Sequence, residues 1–300
     1  MSAFPVQVTV YMSSTFPFLP RLALLASLVL SALPASAGPI EAQAAFDRGD
    51  YIGAYKEWLP LADKGDALAQ LHLGDLFAQG QGVTADDDAA FKWYQKAARQ
   101  GNAAAEYALA GSYAIGRGTK RDPGQAFEWY RKAADQGHGP AQFRLAASYA
   151  HGTGTALDYA QAVVWYRRAI AQGVADAQVG LAFLYLTGDG LEQNYGEAAT
   201  LFGQAAQQNN PVAQNMLGYL SAEGLGMPQD YAQAMQWRKK AAEQDLAEAE
   251  FDLGTMYEKG QSVAVDYIAA VKWYRRAAAQ GFGPAKESLS RITSRKPRED

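Results

Sequence analysis

The sequence predicts an all-α fold, a right-handed α/α solenoid of 36-residue helix-pair repeats. Three observations carry that expectation. The segment Trp93 to Gly101 recurs as Trp129 to Gly137, Trp165 to Gly173 and Trp273 to Gly281, with weaker copies at Leu201 to Asn209 and Trp237 to Asp245. The closing residues Gly65, Gly101, Gly137, Gly173, Asn209, Asp245 and Gly281 keep a 36-residue spacing without insertion or deletion. A second series, Asp50, Asp86, Asp122, Asp158, Asn194, Asp230 and Asp266, runs in phase with the first. A fixed period of this length marks a stack of supersecondary units, none of which can bury its apolar face alone.

Residues 1–37 read as a signal peptide and stand outside the repeat. Arg21 precedes an apolar run, Leu22 to Leu33, that is short for a membrane span. Pro34 ends it, and Ala35-Ser36-Ala37 offers small residues at a cleavage site that would leave Gly38 first. Met12 is an alternative start. The expected location is periplasmic or secreted, of Gram-negative envelope type, with no transmembrane segment after signal cleavage. Cysteine is absent, so disulfides, thiolate chemistry and a lipidated cysteine are excluded, and packing alone must hold the fold.

Residues 38–64 are expected to form N-terminal capping helices. Residues 65–281, counted from one closing glycine to the last, carry six repeats, and residues 282–300 a C-terminal capping helix and tail. Within each repeat, one helix (B) starts at the Asp or Asn, whose side-chain oxygen suits an N-cap, and ends before the closing residue, which suits a left-handed C-cap. The other helix (A) carries an Ala, a Leu and usually an aromatic at spacings of four, as in Ala105, Leu109 and Tyr113, which is one helical stripe. It ends at paired glycines such as Gly116 and Gly118. These lie between helices and after no strand, so they read as turns and not as a phosphate cradle.

The pattern Ala-x3-Leu-Gly-x2-Tyr-x2-Gly-x-Gly, then Asp, Ala and Trp-Tyr-x-Lys-Ala-Ala-x-x-Gly, resembles the SEL-one-like repeat (SLR) family, relatives of the tetratricopeptide (TPR) repeats. The resemblance covers essentially the whole chain after residue 37. It implies a concave surface that binds proteins or peptides, and, for bacterial members, a place in envelope signalling, surface-polysaccharide regulation or host contact. The β-lactam-binding activity of the cysteine-rich branch does not carry over to a chain without cysteine.

A catalytic constellation is missing. The chain has no Ser-x-x-Lys, Gly-x-Ser-x-Gly or His-Glu-x-x-His motif. Its three histidines, His72, His138 and His151, fall at different phases of the repeat. Asp86-Asp87-Asp88 reads as a cap and a first helical turn, not a calcium loop. No catalytic residue, metal or cofactor is therefore assigned. The 27 Lys and Arg nearly balance 31 Asp and Glu, giving a net charge of −4 and no pull toward nucleic acid. The repeated tryptophans read as core. The basic pairs Arg131-Lys132, Arg167-Arg168, Lys239-Lys240 and Arg275-Arg276 read as a solvated face or a basic stripe. In the fourth unit, Leu201-Phe202-Gly203-Gln204 departs from the pattern as drift or as a specialised contact.

On helix A, the side opposite the Ala–Leu stripe bears large apolar residues at the sixth or tenth position after the closing residue. Tyr107, Phe143, Phe183, Tyr219 and Phe251 are the candidate protein-binding residues; packing on neighbouring units is the competing account. The expected function is a secreted or periplasmic scaffold or regulator that binds a protein or peptide partner. The alternatives are a secreted hydrolase of peptidoglycan or β-lactams and a structural part of an envelope polysaccharide or motility assembly.

Overall fold

The alternation of helices A and B organises the computed structural model, which describes residues 37–294. The signal-peptide reading of residues up to 36 and the tail after 294 lie outside that span. Helices A are α1 (Ala37–Asp47), α3 (Ala67–Gln79), α5 (Ala103–Ile115), α7 (Gly139–His151), α9 (Ala175–Thr187), α11 (Pro211–Glu223), α13 (Ala247–Lys259) and α15 (Gly283–Thr293). Helices B are α2 (Tyr51–Asp63), α4 (Asp87–Ala98), α6 (Pro123–Asp135), α8 (Tyr159–Ala171), α10 (Tyr195–Gln207), α12 (Tyr231–Ala242) and α14 (Tyr267–Ala279). Each helix packs on the next in chain order, so every unit touches chiefly its neighbours, as a solenoid requires.

The helix boundaries follow from capping chemistry. All seven Asp or Asn residues of the second series accept a first-turn backbone N–H; Asp86 takes Ala89 N–H at 2.9 Å, and Asn194 takes Glu197 N–H at 3.1 Å. The closing residues sit past the C-cap in the left-handed region, where Asn209 (φ 64°) and Asp245 (φ 59°) stand in for glycine. Helix A has its own, more varied caps: Asp66, Asn102, His138 and Asn210 each accept an N–H three residues on, whereas Val174, Leu246 and Phe282 make no such bond.

The stripes pack as the spacing implies. Ala105, Leu109, Ala141 and Leu145 are fully buried, and the fixed alanines of helix B, from Ala54 to Ala270, are buried in every unit. One expectation needs correction. Most of the repeated tryptophans are not core: Trp93, Trp129, Trp237 and Trp273 are half-buried, and Trp165 alone of the five is buried. Their exposed faces lie under the cation three residues on, with Lys96 Nζ 3.8 Å and Lys132 Nζ 3.7 Å from the ring centroids. Arg168, Lys240 and Arg276 repeat the arrangement. The side chain that fills the interior slot is the next residue: Tyr94, Tyr130, Tyr166, Phe202 and Tyr274 are buried there. In the fourth unit Phe202 keeps that slot, and Gln204, in place of the cation, accepts a hydrogen bond from Gln178 at 3.1 Å. Helix α10 therefore survives the departure at full length.

Two features hold unit to unit. At Gly118 (φ +65°) the turn lies so close to the preceding helix B that a Cβ would stand 2.0 Å from the Asp87 carbonyl oxygen. A half-buried amide ladder also crosses all but one of the junctions between repeats, the exception being at Gln142, whose Oε1 accepts no hydrogen bond. Gln100 donates to Gln70 at 2.8 Å, Gln208 to Gln178 at 2.9 Å and Gln244 to Gln214 at 2.8 Å, all across thirty residues. Glu106 and Glu250 take the buried rung in two units, accepting from Gln136 at 2.7 Å and Gln280 at 2.8 Å. Glu250 is also paired with Arg276 at 2.7 Å. Glu106 has no ion pair among the described residues. Burial holds its carboxyl above the usual carboxylate range, against the Gln136 hydrogen bond and the Lys132 charge.

Two outcomes follow from these junctions. Gly118→Ala adds overpacking to left-handed strain and should cost about 3–5 kcal/mol. Gly137→Ala, where a Cβ meets nothing within 4 Å, should cost only about 1–2 kcal/mol; equilibrium denaturation of both compares them. Because folding raises the Glu106 pKa, its contribution to stability is present below the unfolded carboxylate value and is lost as pH rises. Glu106→Gln, the residue of the Gln70, Gln178 and Gln214 rungs, should therefore melt higher at about pH 7, with the gain vanishing toward about pH 4.

Candidate protein-binding face

The sixth and tenth positions of successive helices A recur on the same helical side, and the interior slot of helix B opens onto that side. Tyr94 OH donates to Asp75 Oδ1 at 3.0 Å, and Tyr274 OH donates to Glu258 Oε2 at 2.9 Å with Thr255 Oγ1 3.1 Å away. Asp75 and Thr255 are tenth-position residues. The rings of helix B thus support the candidate face from beneath, and their tips bring hydroxyl groups to it. Burial raises the Tyr94 phenol, with Asp75 adding to the effect, and burial raises Tyr130 and Tyr166, so all three stay protonated donors.

All five candidate residues are half-buried, and most rest on a ring below. Tyr107 lies 5.6 Å from Tyr130 and 5.0 Å from His138 between ring centroids. Phe143 lies 6.2 Å from Tyr166 and carries Arg144 over its ring. Phe183 meets Phe202 edge-on at 5.3 Å. Phe251 sits 5.4 Å from both Tyr274 and Phe282. The two accounts of these residues are therefore both partly realised: each ring packs on the array and keeps part of its surface uncovered. Tyr107 and Phe143 pack on one apolar cluster, Phe183 and Tyr219 on the next, and Phe251 on another. Of the remaining sixth-position residues, Leu71 and Asn215 are buried and Val179 is half-buried.

Sequence reasoning passed over the most unusual group on this face. In α12 the interior slot holds Arg238, which is 8% exposed. Its Nε lies 3.5 Å from Asp252 Oδ2 of α13. Burial raises the Asp252 carboxyl, against the Arg238 charge and a hydrogen bond from Asn215. Burial also raises the Tyr219 phenol; Glu223 adds to this and Arg238 opposes it. The signal was in the sequence: Trp237-Arg238 replaces the Trp-Tyr of the strong copies.

The histidines have ordinary roles. His138 Nδ1 accepts the Ala141 N–H at 3.3 Å as the cap of α7, and burial lowers its pKa. His72 stacks on Trp58 at 4.3 Å, beside a depression of about 450 Å³ between α1 and α3 at the N-terminal end. Among the described residues no cluster of His, Asp and Glu is arranged to hold a metal ion, and no helix is long and apolar enough to cross a membrane.

Comparison with known proteins places this geometry in a family. The Sel1 repeat matches residues 67–102, 103–138, 139–174, 175–210, 211–246 and 247–282. The chain belongs to the Sel1 repeat family, in agreement with the resemblance read from the motif. It is similar to the solved structure of a protective antigen present in uropathogenic Escherichia coli strains, which displays an SLR fold: 30% identity, TM-score 0.71, covering 86% of this chain and 58% of that one. A Sel1 repeat protein from Oxalobacter formigenes gives 28% identity and a TM-score of 0.77, covering 81% of this chain and 97% of that one. Yeast Tom70, at 14% identity and a TM-score of 0.50, shares the fold alone. No curated protein matches the chain. Sel1 repeat proteins are generally protein–protein interaction scaffolds, and the family is typically non-catalytic.

Proposed function

We propose that this Sel1 repeat protein is a periplasmic or secreted scaffold or regulator that binds an extended segment of a protein partner along its helix A face. The observation that carries the reading is the row of half-buried rings, Tyr107, Phe143, Phe183, Tyr219 and Phe251, on helices that recur unit by unit. Aromatic side chains fixed from below expose contact area and lose little rotamer freedom on binding, which is why they dominate binding energies. A row repeated along a stack suits an extended polypeptide more than a compact small molecule. Export rests on Arg21, the Leu22 to Leu33 run and Ala35-Ser36-Ala37.

The test is a variant with Phe143, Phe183 and Tyr219 all replaced by Ala. The partner is first identified by crosslinking and co-purification from envelope extract. The variant should retain its helical circular dichroism, melt lower, and lose about 100-fold or more in affinity for that partner. Arg168→Ala, on the helix B side, should bind within about fivefold of the parent. Normal binding by the triple variant with loss by Arg168→Ala would move the interface to the outer edge.

A further inference from the structure

We infer that Arg238, flanked by Asn215 and Tyr219, is a carboxylate-reading position on the helix A face, so that the bound segment presents a free carboxylate there; this rests on the groove reading above. Helices α4, α6, α8, α10 and α14 fill the interior slot with a ring, and α12 fills it with a guanidinium. A cation in that slot is expensive unless its hydrogen bonds are made. Here they are not. Arginine has five N–H donors, yet the Nε is buried without an acceptor, and Asp252 Oδ2 at 3.5 Å lies beyond hydrogen-bond reach. Asn215 Oδ1 is likewise buried without a donor.

Packing does not require this arginine. Gly218 faces Arg238 as Gly74 faces Tyr94 and Gly254 faces Tyr274, each leaving a notch where a Cβ would stand 2.5–2.7 Å from the opposing side chain. The recess that admits a tyrosine at Gly74 and Gly254, and at Gly180 against Tyr166, is therefore already present. A residue that costs stability where the repeat supplies a neutral solution is the kind retained for binding. The planar guanidinium matches a carboxylate through two parallel hydrogen bonds, and the Tyr219 hydroxyl supplies a further donor close by. Phe183 and Phe202 stand one unit earlier. The expected ligand is thus an acidic group next to apolar side chains, either an Asp or Glu within the segment or a chain-terminal carboxylate.

Two random dodecapeptide libraries, one displayed with a free C-terminus and one displayed internally, are selected on the full exported chain, on Arg238→Tyr and on the triple aromatic variant. The parent should enrich apolar peptides carrying Asp or Glu if the source is a side chain, or peptides from the free-terminus library alone if it is a chain end. The enriched peptide should bind Arg238→Tyr about tenfold or more weakly, the scale of a charge-assisted hydrogen bond. Its amide counterpart, with Asn or Gln for the acid or an amidated terminus, should lose as much on the parent protein, a measurement independent of how the variant folds. Apolar peptides with no acidic requirement, or equal binding of acid and amide forms, overturn this inference and leave the groove reading standing. No enrichment by the parent over the triple variant overturns the groove reading and this inference with it.

Discussion

Close approach between consecutive units is the constraint on which the rest of the structure depends. At Gly118 the turn after helix A lies against the first peptide of the preceding helix B, with no room for a Cβ beside the Asp87 carbonyl. Around that contact the small residues of helix B, such as Ala90 and Ala97, are fully or nearly fully buried and keep the helices close. Once units approach this closely, the amide ladder from Gln70–Gln100 to Glu250–Gln280 can form across most junctions. The same approach pushes the interior rings up beneath the helix A face. The candidate binding row is in that sense a product of the packing, because Tyr107, Phe143 and Phe183 are held at the surface by Tyr130, Tyr166 and Phe202.

Periodicity alone makes most of this fold legible in the amino-acid sequence. Asp and Asn at 36-residue intervals mark helix starts because an N-cap needs an acceptor on a short side chain. The Ala–Leu stripe marks the buried side because helical residues four apart share a face. What the pattern conceals is the division of labour inside Trp-Tyr. Both residues are large and apolar, and spacing alone does not say which points inward. Packing places the tyrosine in the slot and leaves the indole on the flank, where a cation three residues later covers it. The ladder is hidden for a different reason: Gln70 looks like a surface residue, and only the junction between units buries it.

The candidate site is legible in outline and not in detail. The sixth and tenth positions can be enumerated from a helical wheel, and the structure puts half-buried rings there. Spacing does not tell that Leu71 and Asn215 are buried while Tyr107 and Phe251 stay half-exposed, since that depends on neighbours from two units. Arg238 is readable as a departure from the repeat, yet a basic residue amid Lys239 and Lys240 draws no notice until its burial is known. Departures of this kind are where a repeat protein carries individuality. The repeating residues set the geometry of the stack, and the exceptions decide what the stack selects.

The central claim is that a 36-residue unit is the quantum of this structure and that stability passes only between neighbours. Excising residues 175–210, one matched repeat, joins Val174 to Pro211 and keeps every remaining junction in phase. Removing only residues 175–192 takes away helix A and its turn and leaves α10 without its partner α9. Thermal unfolding followed by circular dichroism compares the two. The account predicts a single cooperative transition for the whole-unit deletion, with helical signal per residue unchanged, and a broad, early transition for the half-unit deletion. Equal cooperativity in both variants, or collapse of the whole-unit variant, would contradict it.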